Sequence, residues 1–320
     1  MADQPSGESS LDIGKGLVFH LPRSWLGPFG SGLLPFYQKL TDGLAARDMS
    51  FVCKALDRET LLDEVAADEA FHIVNHGRFR HPRVLNAGIA YVYPFWNLDP
   101  FGIRAFSSIA ETPFDPRGID AEVARPFFRR LKARIVGGRA SRYEQPADVV
   151  NVPAGCVAVF LQSEAHRGVG ETMWLDRRAM VDAALEADIG PVVVKPHPRD
   201  TDPGTRDWLA GLPVTVSEGN IHDLIAASSR VVTINSAVGV EAYLHRKPVV
   251  LCGRADFHHI ADEARSGANL VDVLRAEPRR RAYDKYVWWY FADRCLSTTE
   301  PGLVDRFLER VAQGGATAPG

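Results

Sequence analysis

Short unbroken apolar runs alternate along this chain with longer stretches in which apolar residues recur every three or four positions. The first pattern predicts strands covered on both faces, the second amphipathic helices. In the first half, "GLVFHL" (16–21), "MSFVCKA" and "AFHIVNHG" (70–77) read as strands. Helices are expected over 33–48, near 57–68 and around 120–134. "NAGIAYVYPFWNLDPFG" is aromatic and Pro-rich, which predicts one strand and an irregular loop. "GGRASRYEQPADVVNVPAG" (137–155) has the composition of a linker. Beyond it the alternation sharpens. "CVAVFLQ", "GPVVVK", "PVTVS", "RVVTI" and "KPVVLC" read as strands, with helices at 175–188, a short one before "PVTVS", and at "NIHDLIAASS" and "AVGVEAYLHR". Strands alternating with helices imply parallel sheets with right-handed crossovers. The fold class is therefore α/β, with two Rossmann-like domains, 1–150 and 151–320, whose parallel sheets face a cleft.

Composition narrows the function classes. The 320 residues are 46% hydrophobic and 24% charged, enough for two domains with substantial cores. A net charge of -3 gives no global reason to expect nucleic acid. The four cysteines are widely spaced and form no CxxC pair, as suits free thiols rather than disulfides. The start "MADQPSGESSLD" is polar and acidic, unlike a signal peptide, and no apolar run is long enough to span a bilayer. A cytoplasmic protein is expected.

In an open parallel sheet, ligands bind beyond the carboxyl ends of the strands. Two segments put polar residues there. In "VVVKPHPRD" the prolines Pro196 and Pro198 restrict the backbone around Lys195 and His197, aiming a cation and a donor at one place. This is either a strand-ending turn or a grip on phosphate oxygens. In "RVVTINSAVGVEAYLHRKPVVLCG", Asn235 and Ser236 join a strand to a helix. Ser236 suits an N-cap, and free N–H groups of a first helical turn attract anions. Gly239 permits a close approach by a ligand or a neighbouring backbone. Glu241, one turn in, is either an exposed helix residue or an acceptor for ribose hydroxyls.

Together "VVVKPHP" and "VVTINSAVGVEAYLHRKPVVLCGRADF" resemble the bacterial capsule polysaccharide synthesis family, Kdo transferase-like glycosyltransferases of GT-B architecture that use CMP-Kdo. The resemblance is strongest over 190–258. It implies that His197-Pro198, Ser236 and Glu241 contact the CMP part of a donor, with Gln162, Lys195 and Asn235 beside them. That family carries a Gln-x-x-x-Asp motif whose aspartate is catalytic. Here the segment is "FLQSEAHRG": Gln162 fits, but His166 stands at the aspartate position and Glu164 two residues earlier. Double displacement needs a carboxylate nucleophile. Glu164 and His166 are thus the candidate catalytic pair, or else residues that line the donor site of a member without activity.

Weaker signals remain. "FGSGLLP" is an incomplete Gly-rich phosphate loop, read as a loop that borders the cleft. His72 and His76 on one strand would stand more than about 10 Å apart, too far to share a metal. His76 and Arg78, at a strand end, are acceptor-side candidates. His258-His259 lack ligand spacing and read as a helix start. The apolar face Tyr283, Tyr286, Val287, Tyr290 and Phe291 is expected to be buried by a C-terminal helix packing back on the first domain, with membrane contact through Arg279–Arg281 as the alternative. "DTD" (200–202) has the composition of a turn, so no metal site is expected.

The resulting expectation is a metal-independent glycosyltransferase without cofactor, moving an acid sugar from a CMP-activated donor in surface-polysaccharide synthesis. Its partners would be the nucleotide-sugar donor and a glycan or lipid-linked glycan acceptor, with no nucleic acid and with peripheral contact at the inner membrane. A sialyltransferase-type or CDP-glycerol-type transferase is the rival enzyme; a nucleotide- or glycan-binding relative without turnover is the rival of another class.

Overall fold

Valine-rich runs build the sheets in the computed structural model, which describes residues 16–164, 166–200 and 202–315. The polar N-terminal stretch, read above as no signal peptide, lies outside these residues. The chain divides into two compact units, 1–108 with 294–320 and 109–293.

The first unit contains β1 (Leu17–Leu21), α1 (Pro35–Ala45), β2 (Phe51–Ala55), α2 (Leu61–Ala67), β3 (Phe71–Asn75), β4 (Val84–Ile89) and β5 (Phe95–Asp99). The stretch expected to be one strand and a loop is in fact the hairpin β4–β5, paired antiparallel from Asn86↔Asp99 to Ile89↔Trp96. Aromatic residues suit that pleated, covered surface.

The second unit contains α3 (Ala121–Lys132), β6 (Val157–Phe160), α4 (Arg167–Gly170), α5 (Arg177–Ala187), β7 (Val192–Lys195), α6 (Pro203–Ala210), β8 (Thr215–Val216), α7 (Ile221–Ala227), β9 (Arg230–Thr233), α8 (Val238–Leu244), β10 (Val249–Leu251), β11 (Asp262–Glu263), α9 (Gly267–Arg275) and α10 (Tyr283–Trp288). The chain then returns to the first unit with β12 (Leu296–Ser297) and α11 (Leu303–Gln313). There β12 pairs with β5 and α11 packs on α1.

The units therefore divide at 108/109, not at 150. The reason is packing: α3 lies against α10 and α8, so it belongs with the second core. The apolar face of 283–291 is buried as expected, with Tyr286, Val287, Tyr290 and Phe291 each 1% exposed. It is covered within the second unit, where α10 packs on α3 and α8. The helix that joins the first unit is α11 instead.

Each unit has a six-stranded sheet, ordered β12-β5-β4-β3-β1-β2 and β11-β10-β9-β6-β7-β8. The second is parallel throughout. Both faces of its central strands are covered. Val157, Val159, Val194 and Val232 pack with α5 and α9, while Ala158, Val193 and Val231 on the opposite face are just as buried. Burying each such valine contributes about 1.5–3 kcal/mol. That explains the unbroken apolar runs. In this order the chain moves outward from β6 to β7 and β8, then returns to place β9 on the other side of β6. The β6/β9 boundary is the topological switch point, where a crevice opens beyond the carboxyl ends.

Candidate donor site

Gln162 and Asn235 lie just past β6 and β9, at the switch point. Gln162 donates through Nε2 to Asn235 Oδ1 (3.0 Å), and its Oε1 accepts the Asn235 backbone N–H (2.9 Å) and the Thr233 hydroxyl (3.1 Å). Asn235 Nδ2 donates to Thr172 Oγ1 (2.7 Å) and the Arg254 carbonyl (3.0 Å). These two amides are a clasp that holds the strand ends at the switch point.

Lys195 departs further from its expected role. It is still in the ladder, in register with Phe160, and is 7% exposed. Its Nζ donates to the carbonyls of Glu218 (3.1 Å) and Gly219 (2.8 Å). The lysine thus ties β7 to the loop before α7, and burial lowers its pKa. Two of its three N–H donors are thus taken by carbonyls, where a phosphate grip was expected.

His197 does present itself. Pro196 is buried and Pro198 exposed, so the chain leaves the sheet between them, with His197 half-buried. The His197 Nδ1 accepts the Arg199 backbone N–H (3.2 Å). The ring proton therefore sits on Nε2 and is available as a donor. Burial first, then the charge of Arg199, lower the pKa and keep the imidazole neutral. The ring meets Tyr143 edge to face, with centroids 5.2 Å apart.

Ser236 Oγ accepts the Val238 N–H (3.3 Å) in a local turn, but the N-cap of α8 is Ala237 and carries no side-chain cap, so Ser236 is not the N-cap expected. Gly239 is needed for packing: a Cβ there would lie 2.8 Å from the Phe257 ring, so the close neighbour is a side chain and not a ligand. Glu241 is 2% exposed, neither the exposed helix residue nor the open ribose acceptor of the two readings above. Its carboxyl is bonded to Ser141, its Oε2 is a buried oxygen without a hydrogen-bond partner, and burial pushes its pKa up to about 7.

The segment expected to be a linker supplies that cover. Arg139 forms a two-pronged ion pair with Asp223, and Ala140 O accepts from His222 Nε2 (2.9 Å). Gln145 Oε1 accepts the Ile221 N–H (3.2 Å), and Asn220 Nδ2 donates to Pro146 O (3.1 Å). Residues 139–146 are thus a strap, fastened at the start of α7 and reaching Glu241 and His197. Its polar composition hid this, because the partners lie some eighty residues away in sequence.

The two catalytic candidates point to different partners. Glu164 Oε1 accepts the Arg177 N–H (2.6 Å) at the start of α5, a helix-capping contact. The His166 side chain is exposed and close enough to His197 to depress its protonation. Asp200 pairs with Arg177 (3.1 Å) and accepts the Thr205 hydroxyl (3.0 Å). Asp202 caps α6 through the Gly204 N–H (3.0 Å). Asp200 Oδ1 also accepts the Asp202 N–H (3.1 Å), so the segment is the turn that its composition predicted.

In the first unit, His76 and Arg78 follow β3 and are exposed; the Arg78 guanidinium lies 3.5 Å above the Phe106 ring. A cavity of about 600 Å3 at the carboxyl ends of β1, β2 and β3 is lined by Pro22, Leu56, Asp57, Arg58, Glu59 and Asn75. The acceptor-side candidates flank this cavity without lining it. His72 is buried: its Nε2 bonds Asp68 (3.0 Å) and its Nδ1 bonds His20 (2.9 Å), a contact not foreseen from spacing. His258 and His259 begin a single helical turn (His258–Ile260) and bond to the carbonyls of Ala110 and Thr112. The four cysteines are free thiols.

Comparison with known proteins agrees with this architecture. Residues 178–261, which span β7 to β10 and both motif segments, match the family described as capsule polysaccharide biosynthesis protein. Among solved structures, the fold is similar to that of a Thermosulfurimonas dismutans protein, "KpsC, beta Kdo 2,7 transferase". The TM-score is 0.57 at 13% identity, over 88% of this chain and 91% of that one. It is also similar to "KpsC, beta Kdo 2,4 transferase" from the same organism, with a TM-score of 0.52 at 16% identity, over 92% and 97% of the two chains. No curated protein sequence gives a significant match. The fold class is GT-B-like α/β, and the chain resembles the capsule polysaccharide synthesis, Kdo transferase-like family.

Proposed function

We propose that this protein is a glycosyltransferase of surface-polysaccharide synthesis that takes an acid sugar, Kdo, from a CMP-activated donor and passes it to a glycan or lipid-linked glycan. One observation carries the reading. The two segments that resemble the family, and that its match covers, lie at the carboxyl end of one parallel sheet, where His197 and Ser236 stand beside the β6/β9 switch point. The neutral His197 offers its Nε2–H to a phosphate oxygen. His166 lies close to it and is the candidate proton acceptor, while Glu164 holds the Arg177 N–H through Oε1 alone, which leaves Oε2 for an attack.

Transfer without a divalent cation is part of the proposal, because Asp200 and Asp202 are engaged by Arg177 and the α6 N-terminus. Among the described residues no helix is long and apolar enough to cross a membrane, and the proposed site of action is the cytoplasmic face. The engagement of Glu164 favours a second reading, a nucleotide-binding relative without turnover. Calorimetry with CMP, CDP and UDP, followed by a transfer assay with CMP-Kdo, tests both. Preference for CMP with turnover supports the transferase. CMP binding without turnover supports the second reading, and preference for UDP refutes both.

A further inference from the structure

With two of its donors on carbonyls, Lys195 leaves a phosphate in need of further donors. Two arginines stand at the same place. Arg199 follows the His197-Pro198 tip, with its guanidinium 5.0 Å from the Tyr143 ring centroid. Arg142, on the strap, lies 5.9 Å from the same centroid. Tyr143 itself contacts His197. Both arginines are exposed.

Neither has a carboxylate within ion-pair distance among the described residues. In the same unit, Arg139, Arg177, Arg206, Arg265, Arg279 and Arg281 each have one. The nearby acid, Asp200, is turned to Arg177. Two like charges gathered on one aromatic ring repel each other, and a bound anion removes that repulsion. Guanidinium forks also match the paired oxygens of a phosphate.

We propose that Arg142 and Arg199, held on Tyr143, form an anion-binding site with the His197 Nε2–H and take the phosphate of the nucleotide donor. This deepens, and rests on, the donor reading above. The strap is then part of the binding site and not a connection between domains. Pairing one arginine from the strap with one from the β7 tip makes the site depend on both segments.

The test is calorimetry at low salt with CMP, cytidine and inorganic pyrophosphate. The proteins are wild type, Arg142→Gln, Arg199→Gln and the double variant, each checked for an unchanged melting temperature. Each single change should weaken CMP about 5- to 50-fold, the loss of one charge-assisted hydrogen bond, with cytidine affinity unchanged. Pyrophosphate should weaken in the same order. CMP affinity within twofold of wild type in the double variant overturns the site while leaving the nucleotide reading intact. Pyrophosphate binding that needs both arginines, with no CMP binding, supports the anion site and refutes the nucleotide reading. Absence of binding by either ligand overturns both.

Discussion

Replacing Glu241 by Gln should flatten the dependence of stability on pH. The carboxyl is 2% exposed, bonded to Ser141, and raised by burial from 4.5 to about 7. Because the folded state holds this proton more tightly than the unfolded state, the stabilisation is fully present below pH 4.5. It is lost as pH rises through 7. At about 1.36 kcal/mol per pH unit, the whole difference is about 3 kcal/mol, most of which falls between pH 5 and pH 8. Glutamine keeps the size and the bond to Ser141 but cannot ionise. Urea unfolding at pH 5, 6, 7 and 8 should therefore show wild type losing about 2 kcal/mol or more relative to Glu241→Gln as pH rises. Every other titrating group is common to both proteins and cancels. Parallel curves would mean that the carboxyl is solvated or paired in solution, and would remove the strap from above it.

Lys195→Met should lower stability by about 2–4 kcal/mol, because two carbonyls lose a charged donor, and its thermal midpoint should fall clearly. A variant with wild-type stability and much weaker CMP binding would restore the phosphate-grip role. If transfer occurs, His166→Ala should reduce kcat by about 100-fold or more with CMP affinity retained, whereas Glu164→Gln should act mainly through stability. Comparable loss of kcat in Glu164→Gln alone would make Glu164 the nucleophile. Transfer should persist in EDTA, and Asp200→Asn should destabilise by about 1–3 kcal/mol. Activity that vanishes in EDTA and returns with manganese would show a required cation.

Most strands and helices were legible because parallel sheets covered on both faces need unbroken apolar runs, and amphipathic helices need a 3.6-residue period. The errors have local causes. The β4–β5 hairpin was missed because Pro94 and the aromatics between its strands look like a loop. The segment 137–155 lacks apolar periodicity and so reads as a boundary between units, which it is not. Its order comes instead from Arg139–Asp223, Gln145–Ile221 and Ser141–Glu241, none of which leaves a trace in local sequence. Arg142, Tyr143 and Arg199 leave no sequence signal for the same reason: a basic-aromatic cluster built from two distant segments has no motif.

The HP tip shows how a two-residue difference in position divides scaffold from site. Lys195 and His197 have the same local setting in sequence, each beside a proline after a valine run. Lys195 remains in register with Phe160, and its carbonyl still accepts the Leu161 N–H (3.0 Å). Its side chain therefore leaves a buried strand and must find partners inside the protein. A buried ammonium without them would cost several kcal/mol. Only after Pro196 does the backbone leave the ladder, and only there can a side chain face outward with its backbone still restrained by Pro198. Here the residue beyond the ladder is a histidine whose Nδ1 is already bonded, so one N–H, in one direction, is what the strand end offers. A neutral donor cannot balance a phosphate's charge by itself. The two arginines gathered on Tyr143, without carboxylate partners among the described residues, can, and on the proposal above they would make this strand end a binding site and not only a turn.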